Sequence, residues 1–262
     1  MRLAILAALV AFTAPVAAQQ PAPPDAEAAS TVTSIAIEGT EFVVHLADGR
    51  TLRSRDLVGA VLNVRFGGKP AQFRLAAVEP DPGEPSGTVW LHTLETPAAD
   101  GSWSNYCTPG PDGRRQGFPL AGGPEGPELV CTSGGIAKCV RFGYRRWVAT
   151  PEGAALAPLH AACVRMLRGD YGGDRPWTRD GMSIQLYDHH GIQPPDDEPA
   201  ETFEAGWSPE GAVCVHHVRV KENTTLAELE SLYPRLRGRT GAICTAKFAR
   251  DNGAVLFNHS SP

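Results

Sequence analysis

From Thr31 onward, apolar and polar residues alternate with a period of two, the pattern of strands that bury one face. In EFVVHLADGRTLRS, Val43 and its apolar neighbours lead to Asp48-Gly49, a pair that favours the tight turn of a β-hairpin. VLNVRFGGKPAQFRLAAV repeats the arrangement. Leu62, Val64 and Phe66 share one face, Gly67-Gly68 turns the chain, and Phe73, Leu75 and Ala77 share a face on the return. TVWLHTL, residues 88–94, predicts a further strand, so residues 31–106 read as a β-rich region of antiparallel hairpins.

The pattern changes at Cys107. CTPGPDGRRQGFPLAGGPEGP (107–127) is dense in Gly and Pro and predicts a loop. It lacks the strand, loop and helix frame with a terminal Lys-Ser/Thr that a phosphate cradle needs. Ala157-Pro158 starts a predicted helix in which Leu159, Cys163, Met166 and Leu167 fall on one face and Gly169 ends the run. GAVCVHHVRV alternates like a strand, with Cys214, His216, Val218 and Val220 on one side. Thr225 and Glu228 have the spacing of a capping box for a short helix closed by Pro234. No internal repeat or coiled-coil heptad is visible.

The amino-terminal segment changes the setting. MRLAILAALVAFTAPVAAQQ has one charge at Arg2, an apolar run from Leu3 to Phe12 and the small-residue site Val16-Ala17-Ala18, which predicts a signal peptide (1–18) cleaved after Ala18. The run is shorter than the roughly 20 residues of a membrane span, so no span is expected after signal removal. QQPAPPDAEAAS (19–30) reads as a disordered leader. An exported chain meets an oxidising compartment, and its six cysteines, Cys107, Cys131, Cys139, Cys163, Cys214 and Cys244, form an even set consistent with three disulfides. Fifteen pairings are open to six cysteines. No C-x-x-C pair is present, which argues against a thiolate metal site or a redox centre.

Removal of residues 1–18 leaves 23 Lys and Arg against 29 Asp and Glu, a net of −6. That balance opposes general affinity for nucleic acid, which needs a clustered basic face. Arg114-Arg115, Arg145-Arg146 and RLRGR (235–239) are short enough to be solvated surface.

GGIAKCVRFGYRRW, HAACVRMLRGDYGGD, TRDGMSIQLYDHHGIQ, FEAGWSPEGAVC and GAVLFN, in this order, resemble the bacterial ADYC-domain family, named for an Ala-Asp-Tyr-Cys motif. The resemblance runs from Cys107 to Asn258 and is looser before it. It implies an exported bacterial domain of unknown function. Here the motif reads Gly169-Asp170-Tyr171-Gly172, so Gly172 stands where the family has Cys. Gly offers no thiolate, so any chemistry that used that Cys would be lost.

RGDYGGDRPWTRDGMSIQLYDHHGIQ (168–193) concentrates the polar candidates. Asp188, His189 and His190, with His216 and His217 and the upstream Asp170, Asp174 and Asp180, are residue types that bind a divalent ion and activate water. Adjacent residues on a strand face opposite ways, however, so each His pair offers one ligand to a given site. The structural alternative uses the same residues. Asp170 and Asp174 accept backbone hydrogen bonds in a Gly-containing turn, Asp180-Gly181 starts a hairpin, Tyr171 and Trp177 anchor the loop, and His189 and His190 end a strand. GWSPEG (206–211) is one residue too long for a nucleophile elbow, and the sequons at Asn223 and Asn258 are accidental in a bacterial chain.

These observations predict an α+β, mainly β chain. Antiparallel hairpins occupy its amino-terminal half, and a disulfide-stabilised mixed half with short helices (107–258) packs against them. The expected role is non-catalytic, as a structural or binding module of the bacterial envelope or exterior. A metal-dependent hydrolase built on Asp188 and the His pairs is the alternative. No cofactor motif is present, and the expected partner belongs to the envelope or exterior.

Overall fold

The computed structural model describes residues 30–261 apart from 67, 68, 85, 111, 124, 125, 151 and 152. The expected signal (1–18), the leader as far as residue 29 and the Gly67-Gly68 turn lie outside the described residues. Strand makes up 36% and helix 19%, so the chain is mainly β. Among the described residues no helix is long and apolar enough to cross a membrane.

Strands β1 (Val32–Glu38), β2 (Glu41–Leu46) and β3 (Thr51–Arg53) form a three-stranded antiparallel sheet. Between β2 and β3, Gly49 takes φ +88° and the Asp48 carboxylate accepts the Arg50 N–H at 2.9 Å, so this hairpin turn forms where its residues predict it. A second sheet runs β4 (Val61–Phe66), β5 (Lys69–Pro80), β6 (Trp90–Pro97), β8 (Gly117–Gly123) and β9 (Gly126–Cys131), with β7 (Trp103–Asn105) paired to β6. Phe42 and Val44 of the first sheet bury against Leu62, Leu75 and Leu94 of the second. Ala77 does not share the face of Phe73 and Leu75. A bulge between Leu75 and Ala77 shifts the register and leaves Ala77 exposed.

The Gly/Pro-rich stretch 107–127 is not all loop, since β8 and the start of β9 lie within it. Phe118 and Leu120 are fully buried on β8. Gly117 is there for space: a Cβ at that position would lie 2.3 Å from the Val130 carbonyl oxygen and 3.0 Å from the Cys107 sulfur. The glycine that looked like a loop signal therefore permits close packing beside a disulfide.

Helices α1 (Gly135–Arg141) and α2 (Ala157–Arg168) follow. α2 buries Leu159, Cys163 and Met166, and Gly169 caps it with φ +57°, a left-handed conformation that glycine adopts freely. A third sheet has the order β10 (Gln185–Asp188), β13 (Leu256–Ser260), β11 (Thr202–Ser208), β12 (Gly211–Val215). On one face Trp207 and Leu256 pack with Met166 of α2 and Leu229 of α3 (Leu226–Leu232). On the other, Phe257 and Cys214 pack with Ala249 of α4 (Ala246–Asp251). Thr225 caps α3 by accepting the Glu228 N–H at 3.2 Å. Asp180-Gly181 is a turn with Gly181 at φ +84°, but no strand precedes it, so it is not a hairpin.

The six cysteines pair in sequence: Cys107–Cys131, Cys139–Cys163 and Cys214–Cys244. The first ties the end of β9 to the segment after β7, the second joins α1 to α2, and the third joins β12 to the segment before α4. Closing loops of 24, 24 and 30 residues restricts the unfolded chain by about 3–4 kcal/mol each on the chain-entropy account.

Candidate functional site

The motif residues sit at the end of α2, where the chain turns back under the third sheet. Asp170 is fully buried and pairs with Arg165 one helical turn earlier. Its other oxygen accepts the N–H groups of Gly173 at 2.7 Å and Arg175 at 3.1 Å, so the carboxylate holds the turn as expected. Asp174 instead accepts the Tyr233 hydroxyl at 2.7 Å.

Tyr171 enters the core, where its ring stacks on Trp207 at 5.4 Å between centroids. Its hydroxyl donates to Glu204 at 2.8 Å and accepts the Arg219 N–H at 3.2 Å. Arg219 lies 2.8 Å from the same carboxylate, both side chains being wholly inaccessible to water. Asn258 donates to Glu204 at 2.7 Å and accepts the Trp207 indole N–H at 2.8 Å. Burial and the adjacent Glu204 carboxylate push the Tyr171 phenol well up, so it remains a donor. Glu204 and Arg219 were not legible as a pair, because they are distant in sequence and only the fold brings them together.

Gly172 leaves room for an aromatic ring. A Cβ there would lie 2.0 Å from Tyr233 Cζ and 2.1 Å from Cε1, so Tyr233 occupies the volume that the family's cysteine side chain would need. Gly172→Ala is expected to expel the ring from its Asp174 hydrogen bond and to cost about 1–2 kcal/mol. In urea unfolding, Gly172→Ala combined with Tyr233→Ala should be no less stable than Tyr233→Ala alone. Simple addition of the two losses would show that the ring and the glycine are not coupled.

The histidines and Asp188 do not converge. Asp188 is buried and accepts the Tyr144 hydroxyl at 2.8 Å and the N–H groups of His190 at 2.6 Å and Gln193 at 2.8 Å, closing the loop after β10. Burial and then Asp188 push the Tyr144 phenol up. His189 packs on Phe257 at 4.6 Å, and His190 is exposed. The expected strand stops early: β12 ends at Val215, so His216 and His217 lie outside it, as the chain turns inward to deliver Arg219. The His216 Nδ1 lies 3.2 Å from the Cys244 carbonyl oxygen, and the His217 Nε2 lies 3.1 Å from Ser260 Oγ. Asp188 pairs with Leu256 at the start of β13 and His217 bonds Ser260 at its end, a separation of roughly 13 Å along the strand. Among the described residues, no three His, Cys, Asp or Glu side chains lie together in a group that could hold a metal ion.

Two clefts flank these elements. One, of about 410 Å³, lies at the seam between the β-rich region and the region after Cys107. Its cations are engaged: Arg141 pairs with Asp81 at 2.6 Å, and Arg145 donates to Ser86 at 2.6 Å and Thr88 at 2.7 Å. The other, of about 540 Å³, lies beside the motif and is lined by Lys138, Arg168 and Arg179 with Leu167, Met182 and Ile184. The basic pairs visible in the sequence are bonded, although Arg115 and Arg235 remain exposed as expected: Arg114 to Glu79, Arg115 to the Cys107 carbonyl, Arg146 to Glu128 and Arg235 to the Tyr171 carbonyl. The sequon residues are likewise structural. Asn258 is buried in the core, and Asn223 holds the carbonyls of Trp177 and Thr178.

Fold and site together define a mainly β, disulfide-bonded domain whose signature residues close a buried polar network. The chain belongs to the ADYC domain family, whose model matches residues 54–221. The match begins within the β-rich region and includes the Gly-Asp-Tyr-Gly turn. No curated protein and no solved structure matches the chain.

Proposed function

We propose that this ADYC-domain protein is an exported, non-catalytic binding module of the bacterial envelope or exterior, periplasmic or extracellular. The observation that carries the reading is the fate of the polar residues that chemistry would need. Asp170, Asp188, Tyr171 and Glu204 are buried, and the side chain of each is engaged in hydrogen bonds that hold the fold. Three disulfides suit an oxidising compartment and support export. The regions 31–106 and 107–258 act as one packed unit, a reading supported by the Arg141–Asp81 pair, by the Arg145 hydrogen bonds to Ser86 and Thr88, and by Val89 and Leu91 packing with Ala137 and Val140.

Native mass spectrometry of the protein recovered from an oxidising compartment tests this. The expected mass starts at Gln19, lies six hydrogens below the reduced chain and retains no stoichiometric divalent ion after zinc exposure and desalting. One retained ion per chain, lost on changing His189 and His216 to Ala, would replace the binding module with the metal-dependent hydrolase.

A further inference from the structure

We infer that the cleft between the start of α1, the end of α2 and the loop 176–184 is a binding site for a small organic anion carrying two or more negative charges as carboxylate or phosphate. Lys138, Arg168 and Arg179 line it, and none of their side chains has a hydrogen-bond or ion-pair partner among the described residues. Their convergence in one concavity sets them apart from the cations that are paired. Arg74, Arg141, Arg146, Arg165 and Arg219 each meet a carboxylate, in a protein whose net charge is −5. Three cations in one concavity repel each other, and only Asp180 among the lining residues opposes them. The C-terminal end of α2 offsets part of the charge of Arg168, but Arg179 sits on a loop without such help.

The cleft is assembled by the fold. Trp177 donates its N–H to the Arg168 carbonyl at 3.2 Å, and Asn223 holds the carbonyls of Trp177 and Thr178 from the other side. Gly169 has no side chain where Thr178 approaches, at 3.3 Å from an ideal Cβ. The loop carrying Arg179 is thereby fixed against the helix end carrying Arg168, and Lys138 joins from α1. Pro176, Leu167, Met182 and Ile184 supply apolar lining, so the site fits an anion on a carbon body, and its volume of about 540 Å³ is in the range of small-ligand pockets.

This inference rests on the binding-module reading and gives it a ligand class. Isothermal titration of the intact protein at low ionic strength, with inorganic pyrophosphate and citrate as separate probes, tests it. Saturable binding of one probe molecule per chain is expected, weakening with added sodium chloride. Lys138→Gln, Arg168→Gln and Arg179→Gln should each reduce affinity about tenfold, with melting temperatures unchanged because these side chains hold nothing in place. Arg65→Gln and Lys221→Gln, which remove cations elsewhere, should leave it intact. Preference for pyrophosphate identifies a phosphate ligand and preference for citrate a carboxylate. No saturable binding of either, or equal weakening by the control substitutions, overturns the site. Neither result bears on the ion test above, so failure here leaves the non-catalytic reading standing.

Discussion

Arg219→Met is expected to lower the stability of the fold by about 3–5 kcal/mol, because it strands the Glu204 carboxylate in a wholly buried position. Tyr171 and Asn258 still donate to Glu204, but two neutral donors do not replace a guanidinium. For a chain of this size the loss corresponds to a fall in melting temperature on the order of 10 °C. A companion variant separates the charge from the packing. Glu204→Leu with Arg219→Met removes both ions, and its stability should recover to within about 2 kcal/mol of the parent, since buried pairs are often matched by apolar residues of similar volume. Denaturant midpoints of both variants decide it. A double variant as unstable as the single one would show that the network is needed for shape and not for charge compensation.

The second large effect is a loss of stability in mild acid. His92 is fully buried on β6 with its ring edge-on to Phe42 at 5.9 Å, and among the described residues neither ring nitrogen has a hydrogen-bond partner. Burial lowers its pKa from 6.5 to about 4, and the nearby backbone of Gly117 and Trp90 offsets little of that. His160 on α2 is lowered to about 4 as well, mainly by burial, although its Nε2 lies 3.2 Å from the Ile136 carbonyl. Below pH 6.5 the unfolded chain binds a proton at each of these positions while the folded chain stays neutral until about pH 4. Stability is therefore fully present above pH 6.5 and falls as the pH drops toward 4. By pH 4.5 the two groups together remove about 5 kcal/mol. Urea unfolding of wild type and His92→Leu at pH 7.5 and 4.5 checks the sign and size. The variant should lose about 2–3 kcal/mol less stability between the two pH values than wild type does. An identical loss in both would exonerate His92.

The hairpin turn at Asp48-Gly49 and helix α2 were legible because each depends on local chemistry: a turn pair, an apolar stripe and a capping glycine. Strands β8 and β9 were hidden because Gly117 serves packing against the Cys107–Cys131 bridge, a reason that only the neighbouring strand reveals. The bulge at Ala77 and the early end of β12 at Val215 are likewise set by distant partners. The candidate site shows the same division. Visible basic pairs such as Arg114-Arg115 and Arg145-Arg146 turned out to be tied down, whereas Lys138, Arg168 and Arg179 are isolated in sequence and meet only in the folded chain. The Asp and His cluster was conspicuous because short range in sequence imitates short range in space, which β13 then undoes.

The order of the cysteines has a consequence for how the protein is made. The six form three bridges between consecutive cysteines, with no bridge crossing another. On the proposed export route, amino-terminus first into an oxidising space, an oxidase that joins thiols in order of arrival makes the native set directly. Maturation then requires a thiol oxidant but no shuffling catalyst, so a host lacking a disulfide isomerase should still secrete the fully bridged protein.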